Sequence, residues 1–141
     1  VNFEPHVTII GRLTGDETVL IEKTKELAES MGQFKISLEK LQQSDEYFKC
    51  IFLECERSRE LIDLNQKARE LFGRLEDEEF QPHLSLLYDK LGPKTREQAL
   101  ESLKLRFEPN MNFVASNIRF MLTAQHPAIE LKKFDFQRLN K

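Results

Sequence analysis

Two histidines of this chain stand in the same eight-residue setting: aromatic, polar, Pro, His, aliphatic, hydroxyl, aliphatic, aliphatic. The first copy is residues 3–10 (FEPHVTII) and the second is residues 80–87 (FQPHLSLL). With average composition, such a pattern arises by chance about once in several million starting positions. We interpret the pair as an internal repeat that carries chemistry. The alternative is two ordinary strands that each hold a half-buried histidine.

Each octet has the spacing of a β-strand with one chemical face. Alternate side chains of a strand share a face and lie about 6.6 Å apart. His6 and Thr8 therefore point one way, and His83 and Ser85 do the same in the second copy. The aliphatic residues between them point to the core. If the two strands face each other across a cleft, two imidazoles and two hydroxyls converge.

Two imidazoles that face each other are suited to paired general base and general acid catalysis. An unperturbed histidine titrates at about pH 6.5, so at the same pH one ring can be neutral while the other is protonated. The neutral ring accepts a proton from water, and the charged ring donates one to a leaving oxygen. Phosphate fits between them because it is anionic and tetrahedral. We therefore predict phosphodiester hydrolysis with His6 and His83 as the catalytic pair.

Other uses of these residues are less favoured. A zinc site needs three or four ligands, and near either histidine Glu4 alone has suitable spacing, so we expect no metal. A nucleophilic Ser85 would need a strand-turn-helix elbow, which the sequence lacks. The third histidine, His126, precedes Pro127 in a predicted turn, and we expect it to take no part in catalysis.

Length, composition and charge limit the class of protein. A chain of 141 residues with 40% hydrophobic and 32% charged residues fits one globular domain. The net charge is −3 without an obvious basic stripe, so we expect a small phosphorylated ligand and no long nucleic acid. Apolar runs are too short to predict a membrane span, and no Gly-rich phosphate loop follows a predicted strand. We expect a monomer.

The cysteines and the chain start bear on the compartment. Cys50 and Cys55 would face opposite sides of one strand, too far apart for a disulfide. This favours a reducing compartment, and we expect a cytoplasmic location, with the nucleus and other compartments left open. The first residue is Val1 rather than Met, so a targeting segment preceding it is not excluded by the sequence.

The hydrophobic pattern predicts the order β-α-β-β-α-β-α-β-β and an α+β fold with antiparallel pairing. A capping box at Thr14 opens the first helix, whose core contacts are expected at Val19, Leu20, Leu27, Ala28 and Met31. We expect the acidic run 76–79 to form a solvated loop. Predicted strands cover residues 1–10, 34–39, 46–55, 80–88, 112–124 and 129–139. The first predicted helix runs from the capping box at 14–17 to about residue 31, and the other two cover 59–72 and 93–103.

At its two histidine motifs the chain resembles the two-histidine (2H) phosphoesterase superfamily, whose mark is two His-x-Thr/Ser motifs about half a chain apart. Segments 5–8 (PHVT) and 82–88 (PHLSLLY), with 47–52 (YFKCIF) between them, resemble the eukaryotic, plant- and fungal-type cyclic phosphodiesterase branch. The resemblance covers nearly the whole chain in the order of elements and is strongest at the two motifs.

The resemblance implies a single 2H phosphoesterase domain over residues 1–141. Two antiparallel sheets would line a central cleft, with helices outside and one histidine motif from each of two pseudo-repeated lobes. The branch usually carries a strand and a helix before the first motif, so we expect the natural chain to extend beyond Val1.

The resemblance also implies an activity. Members of this branch, which is linked to tRNA splicing, open cyclic phosphates without metal or other cofactors. They convert ADP-ribose 1″,2″-cyclic phosphate to ADP-ribose 1″-phosphate, and nucleoside 2′,3′-cyclic phosphates to 2′-phosphates. Two alternatives stay open. One is an RNA 2′-5′ ligase or phosphodiesterase of the same superfamily, and the other is a non-catalytic nucleotide-binding module.

Carried onto this sequence, the resemblance makes His6 and His83 the acid–base pair. It leaves open which of them is the base, and of the two assignments we favour His83 as the base and His6 as the acid. Thr8 and Ser85 would hold the non-bridging phosphate oxygens. Tyr88 would contact the phosphate or its bound water. Of the residues between the motifs, Tyr47 or Phe48 would either stack on a base or pack in the core.

Overall fold

The computed structural model describes residues 6–44, 51–87, 92–106, 111–123 and 128–138. The elements are α1 (Glu17–Glu29), β1 (Phe34–Gln43), β2 (Ile51–Cys55), α2 (Arg59–Phe72), β3 (His83–Leu87), α3 (Pro93–Lys104), β4 (Asn112–Ala115), β5 (Asn117–Leu122) and β6 (Ile129–Asp135). The strands form a four-stranded sheet with the order β3-β2-β1-β4 and a two-stranded sheet of β5 and β6. The pairs β1–β2, β2–β3 and β5–β6 are antiparallel, which confirms the predicted α+β class.

The chain divides into two compact units. The first unit comprises the described residues within Val1–Ile9, Ile36–Ser58 and Glu79–Phe113. The second comprises those within Ile10–Lys35, Arg59–Glu78 and Val114–Lys141. A search of the described residues finds no helix with the length and apolarity needed to span a membrane. The expectation of a single domain stays a prediction.

The N-cap of helix α1 lies two residues later than predicted. This residue is Asp16, whose carboxylate accepts a hydrogen bond from the Val19 amide at 3.1 Å, so the capping box at Thr14 is wrong. Thr24, Leu27 and Ala28 form the buried face. Val19 is 49% exposed rather than in the core. Thr24 lies five positions further along the helix, so the side chain of Val19 points about 140° away from that of Thr24.

Several predicted strands are shorter in the structure, and among them β3 begins at His83 rather than at residue 80 and β6 ends at Asp135 rather than at residue 139. The strand expected over 112–124 is interrupted at Ser116, whose carbonyl accepts a hydrogen bond from the Phe136 amide at 2.9 Å. In the first octet, described from residue 6, Val7 forms an isolated bridge, and a bend at Ile9 and Ile10 follows. Ile9 and Ile10 are thus partly buried without continuing a β-strand.

Helix α3 packs against the aliphatic face of the four-stranded sheet. Leu41, Leu53 and Leu84 lie opposite one another on successive strands and therefore share a face. The buried cluster that includes this face combines Ile51 of β2 with Leu100 of α3, and Leu41, Leu86, Ala99 and Leu103 pack around them. The alternate residues of the same strands consequently form the opposite face of the sheet, away from α3.

Truncation of Leu100 tests this packing. Leu100 is 7% exposed, and Leu100→Ala should lower the free energy of unfolding by about 2–5 kcal/mol through lost burial and a residual cavity. Urea unfolding followed by circular dichroism measures the loss. The matched control is Leu105→Ala, since Leu105 is 90% exposed and the change should stay within about 0.5 kcal/mol. Equal losses in both variants would contradict the packing described for α3.

The thiol of Cys55 gives a second test of burial. Cys55 is a free cysteine, and burial, with a smaller effect of the Glu39 carboxylate, raises its pKa from the usual 9.0 to about 12. Since the folded pKa lies above the unfolded one, the protonated thiol stabilises the fold fully below pH 9.0. That contribution is lost as the pH rises toward 12. We expect Cys55 to resist iodoacetamide at pH 8 until the protein is unfolded, as followed by mass spectrometry. Rapid alkylation of the folded protein would argue against this environment.

Candidate active site

Residues 6–9 of the first octet lie beside the second octet in the first unit. Val7 and Leu84 form an antiparallel bridge, which places His6 opposite Ser85 and Thr8 opposite His83. Opposite residues share a face, so both imidazoles and both hydroxyls lie on one face of the sheet. The two histidines are diagonal neighbours on that face, a relation in which residues are about 7–8 Å apart. Both His-x-Thr/Ser motifs belong to the first unit, where the Val7–Leu84 bridge pairs them. The expectation of one motif from each lobe stays a prediction.

The same face continues across β2 and β1. On β2, Phe52 lies opposite Ser85 and Glu54 lies opposite His83. On β1, Gln42 and Lys40 lie opposite these two β2 residues. We call this face the polar strip. It consists of two cross-strand rows, the first with His6, Ser85, Phe52 and Gln42, and the second with Thr8, His83, Glu54 and Lys40.

The ring of His83 is held on two sides. Its Nδ1 lies 2.9 Å from the carbonyl oxygen of Gln81. A carbonyl can only accept a hydrogen bond, so Nδ1 carries the proton, and the lone pair of the neutral ring is on Nε2. The Phe52 ring packs against the imidazole in an edge-to-face arrangement, with centroids 5.6 Å apart at 72°. In this tautomer Nε2 is the ring nitrogen that can accept a proton.

The predicted site residues differ in exposure. His6 and Thr8 are exposed and His83 is half-buried, whereas Ser85 is only 4% exposed. Ser85 is buried because its strand, β3, is flanked by β2 on one side and by the segment around Val7 on the other. The structure therefore brings four predicted residues together with unequal access to solvent. Tyr88 of the predicted site, and also Tyr47, Phe48, Cys50 and His126, lie outside the described residues.

Glu54 is a residue of the polar strip that the sequence analysis missed. It is half-buried directly opposite His83 on the neighbouring strand. A signal was present, since Glu54 is the one charged residue in the otherwise apolar strand Ile51–Cys55. A carboxylate in such a strand needs a polar or charged environment on its own face.

The acidic loop before β3 is anchored more firmly than predicted. Glu76, Glu78 and Glu79 are exposed, in line with a solvated loop. However, three arginines bind it. Arg74 contacts the Asp77 carboxylate at 2.7 Å, Arg57 contacts that of Glu79 at 2.6 Å, and Arg69 donates to the carbonyls of Asp77 and Glu78. Bonding to Arg74 holds the pKa of the Asp77 carboxyl below its usual value.

Among the described residues, no group of three or more His, Cys, Asp and Glu side chains is arranged to hold a metal ion. The expectation that the protein works without a metal stays a prediction.

Comparison with known families decides the class. A family model described as cyclic phosphodiesterase-like protein matches residues 1–130. The chain belongs to the cyclic phosphodiesterase-like family. It is thus a phosphodiesterase of the 2H phosphoesterase superfamily, as the two histidine motifs indicated.

Relatives of this cyclic phosphodiesterase-like protein include a 2′,3′-cyclic-nucleotide 3′-phosphodiesterase of Yarrowia lipolytica. The two are 23% identical over 144 aligned positions, which cover 95% of this chain and 67% of the relative. Among solved structures, TT0787 of Thermus thermophilus has the same fold, with a TM-score of 0.65 and 15% identity over 96% of this chain and 80% of that one.

Escherichia coli LigT also shares the fold. In its apo form it has a TM-score of 0.62 and 16% identity, over 94% of this chain and 76% of LigT. LigT has also been solved in complexes with 3′-AMP and with phosphate. At identities of 15–16% these structures show a common fold and do not identify the substrate of this protein.

The hydrogen bond to Gln81 predicts the tautomer of His83. Above its titration, neutral His83 should carry its proton on Nδ1, because the Gln81 carbonyl accepts only from that nitrogen. Long-range ¹H–¹⁵N NMR distinguishes the two ring nitrogens, and the spectrum of a His83→Asn variant assigns the signals. A predominant Nε2–H form would rule out the orientation described here.

Proposed function

We propose that this cyclic phosphodiesterase hydrolyses small cyclic phosphodiesters. The substrates would be nucleoside 2′,3′-cyclic phosphates, opened to 2′-phosphates, and ADP-ribose 1″,2″-cyclic phosphate, opened to ADP-ribose 1″-phosphate. The observation that carries the proposal is the Val7–Leu84 bridge, since its register puts His6, His83, Thr8 and Ser85 on one face. Family membership supplies the reaction class. The name of the Yarrowia relative favours 2′,3′-cyclic nucleotides.

The diagonal between the histidines suits a tetrahedral phosphate. With β-carbons about 7–8 Å apart, the two rings can reach opposite ester oxygens of one phosphate. Thr8 and Ser85 would donate hydrogen bonds to the non-bridging oxygens. The exposed Thr8 would form the more accessible of these contacts, and the nearly buried Ser85 the more fixed one. Tyr88 would contact the phosphate or its water.

The proton transfers then balance for a 2′,3′-cyclic substrate. His83 Nε2 accepts a proton from water as the water oxygen bonds to phosphorus. The bond between phosphorus and the 3′ oxygen breaks, and His6 donates its proton to that oxygen. The product keeps its phosphate on the 2′ oxygen. Since the two imidazoles supply both transfers, we propose that the reaction needs no metal.

Loss of either imidazole tests the proposal. His6→Ala and His83→Ala should each lower kcat by about 10²–10⁴, because a positioned acid or base contributes roughly this factor. The control is His126→Ala, for which we expect the wild-type rate. Initial rates with 2′,3′-cyclic AMP measure the effect. Full activity in either of the first two variants would exclude the paired mechanism.

Product analysis separates the remaining alternatives. We expect ³¹P NMR to show nucleoside 2′-phosphate and ADP-ribose 1″-phosphate, at rates that EDTA does not change. A 3′-phosphate product would overturn the assignment of the leaving oxygen. Activity confined to RNA ends, falling steeply with salt, would indicate a ligase or RNA 2′-5′ phosphodiesterase instead. Tight AMP binding without turnover would indicate a binding module.

A further inference from the structure

Phe52 is an apolar side chain that is buried on the polar strip. It is only 9% exposed. It alternates along β2 with Leu53, which lies on the aliphatic face of the sheet, so the phenyl ring lies on the opposite face, away from α3. Packing against α3 therefore does not explain why Phe52 is buried. A buried phenyl ring among polar residues indicates a contact on the strip itself.

The register of β2 and β3 identifies one such contact as the ring of His83. Phe52 lies directly opposite Ser85, so His83, two residues earlier on β3, is its diagonal neighbour. Aromatic side chains reach across such a diagonal. The two ring centroids are 5.6 Å apart and the ring planes meet at 72°, which is the edge-to-face arrangement that aromatic pairs favour.

We propose that Phe52 is a positioning residue that holds the imidazole of His83 in the orientation needed for proton transfer at Nε2. The catalytic meaning of this inference rests on the proposed function. It does not depend on whether His83 begins the reaction as the base or as the acid. In both cases the Gln81 carbonyl engages Nδ1, so the proton is exchanged at Nε2.

The hydrogen bond to Gln81 is too weak to fix the ring alone. The second side-chain torsion of histidine is broad and roughly two-fold, so the ring can turn over and exchange the places of Nδ1 and Cδ2. The bond is exposed to solvent, where water competes, and it favours one orientation by a factor of about 2–10. The contact with Phe52 adds a factor of about the same size. The two contacts together leave little of the turned-over ring.

Phe52→Leu tests the inference, since it removes the flat ring and keeps an apolar side chain. The Nε2–H fraction of neutral His83 should rise at least about twofold in long-range ¹H–¹⁵N NMR, because one of the two orienting contacts is lost. With 2′,3′-cyclic AMP, kcat should fall about 3–30-fold, because a displaced catalytic group reacts slowly. KM should change less than about twofold, because the loss acts mainly in the transition state. Phe52→Tyr keeps the ring and should retain the wild-type tautomer.

The matched control is Phe34→Leu. Phe34 is 7% exposed and packs against the ring of Phe136 within the second unit, with centroids 6.0 Å apart. The substitution removes a phenyl ring from an equally buried position that has no part in the proposed site. Urea unfolding compares the stability of the two variants. Phe34→Leu should leave the tautomer of His83 and kcat unchanged, whereas equal changes in both variants would reduce the role of Phe52 to general packing and overturn the inference.

The measurements distinguish failure of this inference from failure of the proposed function. An unchanged tautomer and kcat in folded Phe52→Leu would overturn the role of Phe52 even if the enzyme opens cyclic phosphates. A shifted tautomer in a protein that turns over no cyclic phosphate would support the positioning of the ring and refute the proposed function. If Phe52→Leu does not fold, the wild-type protein decides, because nuclear Overhauser contacts between the ring protons of Phe52 and His83 are expected and their absence would overturn the inference.

Discussion

One backbone bridge sets the arrangement of the proposed catalytic residues. Val7 and Leu84 are aliphatic residues without any reactive group, yet their antiparallel pairing aligns the two octets. Residues on either side of a bridge share its register, so a single pairing places the two imidazoles on a diagonal and sets a hydroxyl opposite each. Any displacement of the first octet along β3 would separate these groups, whatever the intrinsic reactivity of the histidines.

The surrounding elements hold that register from two sides. Helix α3 covers the aliphatic face, where Ile51 and Leu100 are buried together. The acidic loop then leads the chain into β3 through Gln81, whose carbonyl orients the His83 ring. Arginines at 57, 69 and 74 bind that loop. Apolar burial thus sets the plane of the sheet, and polar contacts set the direction of the ring.

Much of this arrangement was predictable from the sequence because strand alternation is a local rule. His6 and Thr8 share a face for the same reason that His83 and Ser85 do, and no tertiary information is needed. The α+β class followed from the order of periodic segments. The pairing partner was not predictable. A sequence does not state which strands become neighbours, so both the direct pairing of the octets and the position of Glu54 opposite His83 required the structure. The unequal exposure of Thr8 and Ser85 has the same origin, since it depends on how many strands flank each octet.

The alternation of apolar and polar side chains along the octets couples the stability of the fold to the geometry of the proposed site. Since Leu84 and His83 are consecutive, the alternation of one strand decides both which side chain enters the core and where the proposed catalytic ring points. An insertion of one residue in either octet would invert both at once, turning imidazole inward and leucine outward. An insertion of two residues would keep each side chain on its face, but it would change the residue that lies opposite it on the neighbouring strand. The evolutionary history of these segments should therefore admit many substitutions and almost no changes of length.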